Sequence, residues 1–255
     1  MTHRAMELIT HEDLLDFRRE VEEIEIEKVR VLLKGPFRVK TVGPPEDYVP
    51  ETETVWSFPN RGDWATHRGN YRGNWSPYIP RNLILRYSAE GDVVLDQMCG
   101  SGTTLVECRL LGRRGIGVDI NRDAIMVTRD RLDFDYAPSF SMPPALPVDT
   151  YVGDARNLNL IDSNNIDLIA THPPYAGIIG YSNRRVEGDL SALKLEAYLD
   201  EMRIAAGEAL RVLKPGAHCG VLIGDTRKHL HYIPISQRVM HVLLEVGFLL
   251  REDII

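Results

Sequence analysis

The sequence has few cysteines and no long apolar run. Its 255 residues include only Cys99, Cys108 and Cys219, which form no CxxC pair. This set excludes a disulfide framework and the common zinc-site spacing, and it is typical of the reducing cytosol. No apolar stretch approaches the roughly 20 residues of a membrane span, and the N-terminus lacks the layout of a secretory signal. We therefore expect a cytoplasmic protein that binds neither a membrane nor a metal ion.

The chain also lacks an excess of basic residues. Its formal net charge is −7, whereas proteins that hold nucleic acid by overall charge are usually basic. Positive charge is nevertheless concentrated in residues 61–86, where Asp63 is the only acid. This stretch contains Arg61, Arg68, Arg72, Arg81, Arg86, Trp64 and Trp75. We expect the arginines up to Arg72 to meet nucleic acid, the alternative being that they are surface charge beside a ligand pocket.

The first 60 residues carry one predicted helix, over residues 10–34. Thr10 and Asp13 have the spacing of a capping box, and apolar residues recur at an approximate helical period up to Gly35-Pro36. Prolines between residues 41 and 60 predict an extended linker. We therefore divide the chain into an N-terminal extension, residues 1–60, and a main domain, residues 61–255.

From about Pro80 onward, strand patterns alternate with helical patterns. This alternation predicts a mostly parallel sheet covered on both faces, as in doubly wound Rossmann-like α/β folds. The predicted strands cover residues 93–96, 115–120, 150–152, 166–170, 217–223 and 248–255, and the predicted helices cover residues 103–111, 121–134, 193–213 and 235–246.

A glycine-rich turn separates the first of these strands from its helix. Glycine permits a tight turn and the close approach of a ligand, and the start of a helix offers unpaired N–H groups to an anion. The third glycine of a dinucleotide fingerprint is missing, because Leu105 stands in its place. We expect the turn to bind a ligand that carries a carboxylate, through Asp96, Cys99, Gly100, Ser101, Gly102, Thr103 and Thr104.

The next two strands also lead to an acid. Asp119 is followed by Ile120 and Asn121, and Asp154 is followed by Ala155. At the carboxyl edge of a sheet, Asp119 is placed to accept hydrogen bonds from ribose hydroxyls and Asp154 from an adenine amino group. A single such acid is most simply a loop or helix cap. Three in succession, the first before a glycine turn, indicate a ligand that combines adenosine with a carboxylate.

The sequence Thr-His-Pro-Pro-Tyr follows the strand that begins at Ile166. Pro173 and Pro174 cannot continue a sheet ladder, so the chain must leave the sheet at its carboxyl edge, where doubly wound folds bind ligands. The proline backbone leaves carbonyl oxygens free to accept hydrogen bonds, and Tyr175 offers a flat face for stacking. We expect His172 to Tyr175 to form a reactive site beside the glycine turn.

These motifs resemble those of the amino-methylating DNA methyltransferases, which modify adenine N6 or cytosine N4. That family's turn commonly reads Asp-x-x-x-Gly-Ser-Gly-Thr-Thr, and its reactive motif reads Asp, Asn or Ser followed by Pro-Pro-Tyr or Pro-Pro-Phe. The chain matches the turn at each fixed position and the reactive motif at three of four positions. The segment Trp75-Ser-Pro-Tyr-Ile-Pro resembles a further cofactor motif, which adds Tyr78 and Pro80 to the expected pocket.

The resemblance implies an S-adenosylmethionine-dependent methyltransferase, with residues 61–255 as its catalytic domain. In the family, the first motif residue and the next proline carbonyl accept hydrogen bonds from the target amine. His172 stands in the first position, where a neutral imidazole accepts one such bond and, at an unperturbed pKa of about 6.5, also takes up the released proton. The competing hypothesis is that histidine at this position abolishes catalysis and leaves a scaffold subunit that only binds the cofactor. We favour catalysis because both prolines and Tyr175 are retained.

The resemblance also implies that the target base leaves its stack and lies against Tyr175. An uncharged first motif residue is typical of some cytosine-N4 members, so we expect cytosine N4 in DNA ahead of adenine N6, with RNA as the alternative. The expected nucleic-acid contacts are Arg61, Arg68, Arg72, Tyr181, Arg184 and Arg185. No separate recognition domain fits between the motifs. The chain is therefore expected to act on RNA, as a homodimer on a short site, or beside a specificity partner.

Overall fold

The computed structural model describes residues 3–26, 28–71, 73–136, 143–176, 186–228 and 230–255. Within these ranges the helices are α1 (His11–Glu20), α2 (Tyr78–Tyr87), α3 (Thr103–Leu110), α4 (Arg122–Leu132), α5 (Leu195–Val212) and α6 (Ile235–Val246). The strands are β1 (Glu7–Ile9), β2 (Glu23–Ile26), β3 (Val29–Leu32), β4 (Phe37–Arg38), β5 (Val93–Asp96), β6 (Arg114–Asp119), β7 (Phe134–Asp135), β8 (Val148–Val152), β9 (Ile166–Thr171), β10 (Leu213–Val221), β11 (Thr226–Lys228) and β12 (His231–Ile233). β5 and α6 have the predicted bounds.

Six strands form one sheet in the order β1-β8-β6-β5-β9-β10. All neighbours run parallel except β1, which is antiparallel to β8. The chain moves outward from β5 through β6 and β8 on one side, and then through β9 and β10 on the other. The predicted Rossmann-like α/β fold is therefore confirmed. Because the direction of progression reverses at β5, the loops after β5, β6 and β9 meet at the edge where such sheets bind ligands.

Adjacent residues of the central strand enter two separate cores. Val94 packs with Leu83 of α2, whereas Leu95 packs with Ala209 of α5, and all four side chains are buried. The pleat of the strand directs successive side chains to opposite faces, so helices cover both sides of the sheet. None of the helices in the described ranges is both long and apolar enough to cross a membrane.

The predicted helix over residues 10–34 is wrong in its second half. The capping box of Thr10 and Asp13 is confirmed, and α1 behind it ends at Glu20. β2 and β3 then form an antiparallel hairpin. Ile24 and Ile26 are buried while Glu23 and Glu25 are exposed, so this segment follows a period of two. A period of two specifies a strand, and here it outweighs the approximate helical period.

The predicted final strand over residues 248–255 is also wrong. The segment after α6 forms no helix or strand, and Leu249 is 93% exposed. Its end crosses the linker, where the Ile255 N–H donates to the Thr54 carbonyl and the Trp56 N–H donates to the Ile255 carbonyl. A strand needs a ladder of such bonds along a neighbour, and this contact involves a single residue of the segment.

The sequence patterns did not predict β1 or the hairpin of β11 and β12. β1 brings the N-terminal segment into the main sheet by pairing with β8, and β11 and β12 follow directly on β10. Each of these strands has three residues. Such a length is too short for alternation to distinguish a strand from a loop.

Candidate active site

One pocket lies at the carboxyl edge of the sheet, at the point where the strand order reverses. Its walls come from the glycine turn after β5, the ends of β6 and β8, and the reactive motif after β9. Two further segments complete it, residues 71 and 73–75 before α2 and residues 186 and 188–190 before α5. The two motifs that the sequence singled out therefore share one cavity.

The glycine turn presents backbone and hydroxyl groups to this pocket. Gly102 has a φ of +79°, and a Cβ there would lie 2.6 Å from Cγ2 of Thr128, so only glycine fits against α4. Gly100, with a φ of +52°, donates its N–H to the Asp119 carboxylate at 2.9 Å. α3 begins at Thr103, whose buried Oγ1 has no hydrogen-bond partner in the described part of the chain. A helix N-terminus and an unsatisfied hydroxyl thus face the pocket, an arrangement that suits an anionic group.

Asp119 ends β6 and lines the pocket. Its Oδ1 accepts the Asn121 N–H at 2.9 Å, and its Oδ2 accepts the Gly100 N–H at 2.9 Å. Burial raises the pKa of the Asp119 carboxyl to about 6, even though both backbone donors act in the opposite direction. Each carboxylate oxygen has two lone pairs, so both oxygens keep capacity to accept hydroxyl groups of a ligand.

Asp96 joins the glycine turn to the reactive motif. Its carboxylate is 2% exposed and accepts the Thr104 hydroxyl at 2.5 Å and the Thr171 hydroxyl at 3.0 Å. Thr104 belongs to the first turn of α3, and Thr171 is the last residue of β9, next to His172. Burial raises the pKa of Asp96 to about 6. A single buried carboxylate therefore sets the separation of the two motifs.

Asp154 lines the pocket with its carboxylate already engaged by Arg156. The Arg156 Nε and Nη2 donate to the two oxygens at 2.7 and 2.5 Å. Nη2 also donates to the Gly188 carbonyl at 2.8 Å, and Nη1 donates to Glu201 at 2.6 Å. Arg156 thereby holds the segment after residue 185 against the pocket wall. This pairing leaves Asp154 less capacity for its predicted contact with an adenine amino group.

His172 follows β9 and lies between two aromatic rings. The ring of Trp75 is stacked on it at 5.9 Å and 30°, and the ring of Tyr175 meets it edge-on at 5.6 Å and 64°. Nε2 is 3.0 Å from the Tyr175 hydroxyl, and the Gly73 backbone also interacts with the imidazole. The buried Nδ1 makes no hydrogen bond of good geometry with the residues that the structure describes. Burial lowers the pKa of His172 to about 4, so the imidazole is neutral near pH 7. It is therefore a weaker base than the unperturbed value suggested from sequence, while it remains a hydrogen-bond acceptor.

One buried carboxylate anchors the segment 61–75, which forms no helix or strand in its described part. Glu107 of α3 is fully buried, accepts the Trp64 indole N–H at 2.7 Å and lies 2.8 Å from Nε2 of His67. Arg81 of α2 donates to its other oxygen at 2.7 Å. Burial acts to raise the pKa of Glu107, but His67 and Arg81 outweigh it and hold that pKa below its usual value. The pocket wall before α2 is thus attached to an ionised core residue.

Most of the predicted site residues line the pocket. They are Asp96, Cys99, Gly100, Ser101, Thr103, Asp119, Ile120, Asn121, Asp154, Ala155, His172, Pro173 and Pro174. Gly102, Thr104 and Tyr175 do not line it and support it from behind, through their contacts with Thr128, Asp96 and His172. The roles assigned to these residues stay predictions.

Tyr78 and Pro80 do not line the pocket either. Tyr78 stacks on Phe58 at 5.1 Å and meets Trp64 edge-on at 4.8 Å, and Pro80 is buried in the first turn of α2. The helix directs these side chains into the aromatic core beside the linker. From this motif, only Trp75 is a lining residue.

Several residues that line the pocket were not predicted from the sequence. They are Tyr71, Gly73, Asn74, Gln97, Met98, Val186, Gly188, Asp189 and Leu190. Gln97 and Met98 stand at variable positions inside the turn motif, and residues 71–74 directly precede the segment that resembles a cofactor motif. Extending each motif to its neighbours would have found five of them, Tyr71, Gly73, Asn74, Gln97 and Met98. No comparable pattern marks residues 186–190.

Two predicted nucleic-acid residues fall within the described ranges, Arg61 and Arg68. Arg61 is half-buried and donates to the carbonyls of Asn74 and Trp75 at 3.2 and 2.8 Å, so it supports the pocket wall. Arg68 is exposed, with its guanidinium 5.0 Å from the centre of the Phe37 ring. Arg72, Tyr181, Arg184 and Arg185 lie outside the described residues.

Comparison with solved structures finds similarity to an S-adenosylmethionine-dependent methyltransferase from Methanosarcina mazei. The two are 23% identical, with a TM-score of 0.42 over 62% of this chain and 63% of that one. In sequence, residues 10–130 match a family described as DNA methylase. The matched range contains the glycine turn.

Three curated relatives match shorter stretches. The Type II methyltransferase M.HpaI of Haemophilus parainfluenzae is 37% identical over 82 residues, which is 32% of this chain and 26% of that protein. The Type II methyltransferase M2.DpnII of Streptococcus pneumoniae is 43% identical over 70 residues, 28% of this chain and 25% of that protein. The tRNA (guanine(10)-N2)-dimethyltransferase of Methanothermobacter thermautotrophicus is 34% identical over 106 residues, 41% of this chain and 29% of that protein.

Each match spans between a quarter and three tenths of the relative's length. The family match and the two Type II methyltransferases agree with the resemblance that the glycine turn carries. Over residues 10–130 the chain is therefore similar to a family described as DNA methylase.

Proposed function

We propose that this protein is an S-adenosylmethionine-dependent methyltransferase that acts on the exocyclic amino group of a nucleobase in DNA, at cytosine N4 ahead of adenine N6. The observation that supports it most is the shared pocket, in which Asp96 bonds to both the glycine turn and the end of β9. A methyltransferase must hold the methyl donor and the accepting amine side by side, and this bridge keeps their two sites together.

The pocket suits S-adenosylmethionine in its chemistry. Asp119 supplies carboxylate oxygens for the ribose hydroxyls. The start of α3, with the unsatisfied Thr103 hydroxyl, suits the carboxylate of the methionine moiety. The buried Oε1 of Gln97 also lacks a partner in the described part of the chain, and it suits the ammonium group. When bound, the cofactor supplies a methyl group on a positively charged sulfur, ready for direct displacement.

The protein's part in the reaction is to orient the amine. In the tautomer with its proton on Nε2, Nδ1 of His172 is an acceptor, and it and the Pro173 carbonyl suit the two N–H bonds of an exocyclic amine. Two such bonds turn the nitrogen lone pair out of conjugation with the base. The Tyr175 hydroxyl and the Trp75 ring fix the imidazole plane from either side. With a pKa of about 4, His172 does not retain the proton that the methylated nitrogen releases, and this proton passes to water.

The comparisons support a second candidate, the same chemistry on RNA. One relative carries the name of a tRNA guanine-N2 dimethyltransferase, and its match covers more of this chain than the matches to M.HpaI and M2.DpnII do. DNA is favoured because the family match and both of those relatives are DNA methylases or Type II methyltransferases. Cytosine N4 is favoured because the motif begins with a neutral residue.

The test is transfer of radiolabelled methyl to unmethylated genomic DNA and, in parallel, to unmodified transfer and ribosomal RNA, followed by nucleoside analysis. We expect N4-methyldeoxycytidine. N6-methyldeoxyadenosine would overturn the choice of base, and label in RNA alone would overturn the choice of polymer. Absence of label in all polymers, with cofactor binding shown by calorimetry, would instead identify a scaffold subunit.

Cofactor affinity is expected to fall as the pH drops through about 6. Asp119 and Asp96 each have a pKa raised to about 6 by burial, so each takes up a proton below that value. A protonated Asp119 loses part of its capacity to accept ribose hydroxyls. The Kd should be constant from about pH 8 to 7. Below pH 6 it should rise by up to about tenfold per pH unit for each of the two carboxyls whose protonation opposes binding. His172 adds nothing here, because its pKa is about 4.

Calorimetric titration with S-adenosylmethionine at each pH measures this dependence. Asp119→Asn is the control, because an amide does not titrate. This variant should bind more weakly at every pH and show a reduced slope that belongs to Asp96. A Kd that stays constant from about pH 8 to 5 in the wild-type protein would contradict the role of Asp119.

A further inference from the structure

The hairpin of β11 and β12, which we call the basic hairpin, lies beside the reactive motif. β10 ends next to β9, where the Leu222 N–H donates to the Thr171 carbonyl. Gly224 then packs on Tyr175, so closely that a Cβ on Gly224 would lie 3.0 Å from the Tyr175 hydroxyl. The hairpin starts two residues later, at Thr226. Its base is therefore next to the site where the target amine is expected.

The base of the basic hairpin is fixed to α6. The carboxylate of Asp225 accepts the Ser236 N–H at 2.8 Å at the start of that helix, and it also accepts the hydroxyl of Tyr232. Ile233 packs into the core between α5 and α6. The hairpin is thus a supported projection from the edge of the sheet.

The exposed residues of the basic hairpin are cationic, aromatic and apolar. Arg227 and Lys228 are exposed and form no ion pair with any residue that the structure describes, whereas Arg203 and Arg238 nearby are paired with glutamates. Tyr232 is 57% exposed, opposite Arg227. In a chain with a net charge of −7, this is an unneutralised positive projection beside the active site.

Leu230 lies at the end of the basic hairpin. Its side chain is 97% exposed, and its φ is +68°, a conformation that bulky residues rarely adopt. At this exposure the leucine side chain contributes nothing to the packing of the core. Apolar side chains enter the base stack in many proteins that distort nucleic acids, and extraction of a base leaves a space that such a side chain can fill.

We propose that the basic hairpin is the nucleic-acid contact of the enzyme, in which Arg227 and Lys228 bind phosphates and Leu230 enters the stack where the target base has left it. This inference rests on the proposed function, because it assigns the contact that delivers the substrate base to the same site. The occupant is nucleic acid, since unpaired cations and an exposed aromatic ring complement phosphates and bases.

The charge contribution is tested by a double variant, Arg227→Ser with Lys228→Ser. Binding to sheared unmethylated genomic DNA is measured over a range of salt concentrations. The dependence of log K on log salt should lose about two units of slope, and affinity at low salt should fall about 10- to 100-fold. The affinity for S-adenosylmethionine should not change. Because this assay needs no turnover, it decides the role of the hairpin even if no methyl transfer is found.

The matched control is Lys28→Ser with Arg30→Ser on the hairpin of β2 and β3. Both residues are exposed, and that hairpin contributes no residue to the pocket. The control should keep the wild-type salt slope. The proposal would be overturned if the two double variants had equal salt slopes for DNA binding. It would also be overturned if the variant of Arg227 and Lys228 kept the wild-type slope but lost binding to a protein partner.

Leu230 is tested by Leu230→Asn, because asparagine tolerates a positive φ while it removes the apolar side chain. We expect kcat on DNA to fall about tenfold at an unchanged KM, because extraction of the base is impaired after binding. Leu230→Met, which keeps a long apolar side chain, should have a kcat close to the wild-type value. Leu249→Asn, at another exposed leucine, should have no effect. A wild-type kcat in Leu230→Asn would show that Leu230 does not enter the base stack.

Discussion

Replacement of His172 by alanine is expected to reduce kcat about 100- to 1,000-fold, with the Kd for S-adenosylmethionine within about threefold of the wild-type value. The variant removes the one acceptor at the head of the reactive motif. It leaves the glycine turn and Asp119 intact, because neither bonds to the imidazole. Single-turnover methylation with saturating cofactor measures the first quantity, and calorimetry measures the second.

The chain offers a matched control for this experiment. His218 of β10 is also half-buried and stacked on an aromatic ring, Tyr87, at 4.6 Å, and it lines no part of the pocket. His218→Ala should therefore retain kcat. His172→Asn, which restores an acceptor that the related family uses, should recover part of the lost activity. If His172→Ala turns over at the wild-type rate, His172 does not orient the amine.

Asp119→Ala is expected to weaken S-adenosylmethionine binding about 100-fold. The substitution removes the acceptor for the ribose hydroxyls and also leaves the N–H groups of Gly100 and Asn121 without their partner. Hydrogen bonds to a charged group contribute roughly 1.5–3 kcal/mol each, which is sufficient for a loss of this size. At saturating cofactor, kcat should remain within about fivefold of the wild-type value, because Asp119 does not touch the reactive motif.

Asp149→Ala is the control for Asp119→Ala. Asp149 lies on the adjacent strand β8, is exposed and does not line the pocket. Its substitution should leave the Kd unchanged. If Asp119→Ala binds the cofactor as tightly as Asp149→Ala does, the pocket assignment is wrong. If His172→Ala and Asp119→Ala raise the Kd for S-adenosylmethionine to the same extent, then His172 does not act on the amine alone and the two assigned roles are wrong.

The pocket floor was predictable because its chemistry depends on local sequence. A strand that ends in Asp96, two glycines and a helix start are contiguous in the chain, so one short motif specifies both their order and their geometry. Pro173 and Pro174 similarly force the chain off the sheet wherever they occur. The alternation of strands and helices then places both motifs at the same edge.

The rest of the pocket depends on contacts between distant residues. Residues 61–75 have no periodicity, and their position depends on Glu107, which lies 40 residues beyond His67. Tyr78 was assigned to the pocket from its place in a motif, but the rotation of α2 directs it into the rings of Phe58 and Trp64. The salt bridge of Arg156 with Asp154 was missed because nothing in the short sequence Asp-Ala-Arg indicates where the guanidinium will point.

The contacts of Glu107 with Trp64, His67 and Arg81 make activity sensitive to substitutions outside the pocket. Removal of one partner from a buried charge typically costs about 3–5 kcal/mol, because the remaining charge is uncompensated. Substitution of Trp64, His67 or Arg81 therefore affects the hydrophobic core of α3 and the ligand wall at the same time. A mutational map of methylation should show damaging positions at these three sites, none of which a ligand in the pocket would touch. Variants at these three positions would be recognised by a lowered thermal melting temperature and not by their distance from the substrate.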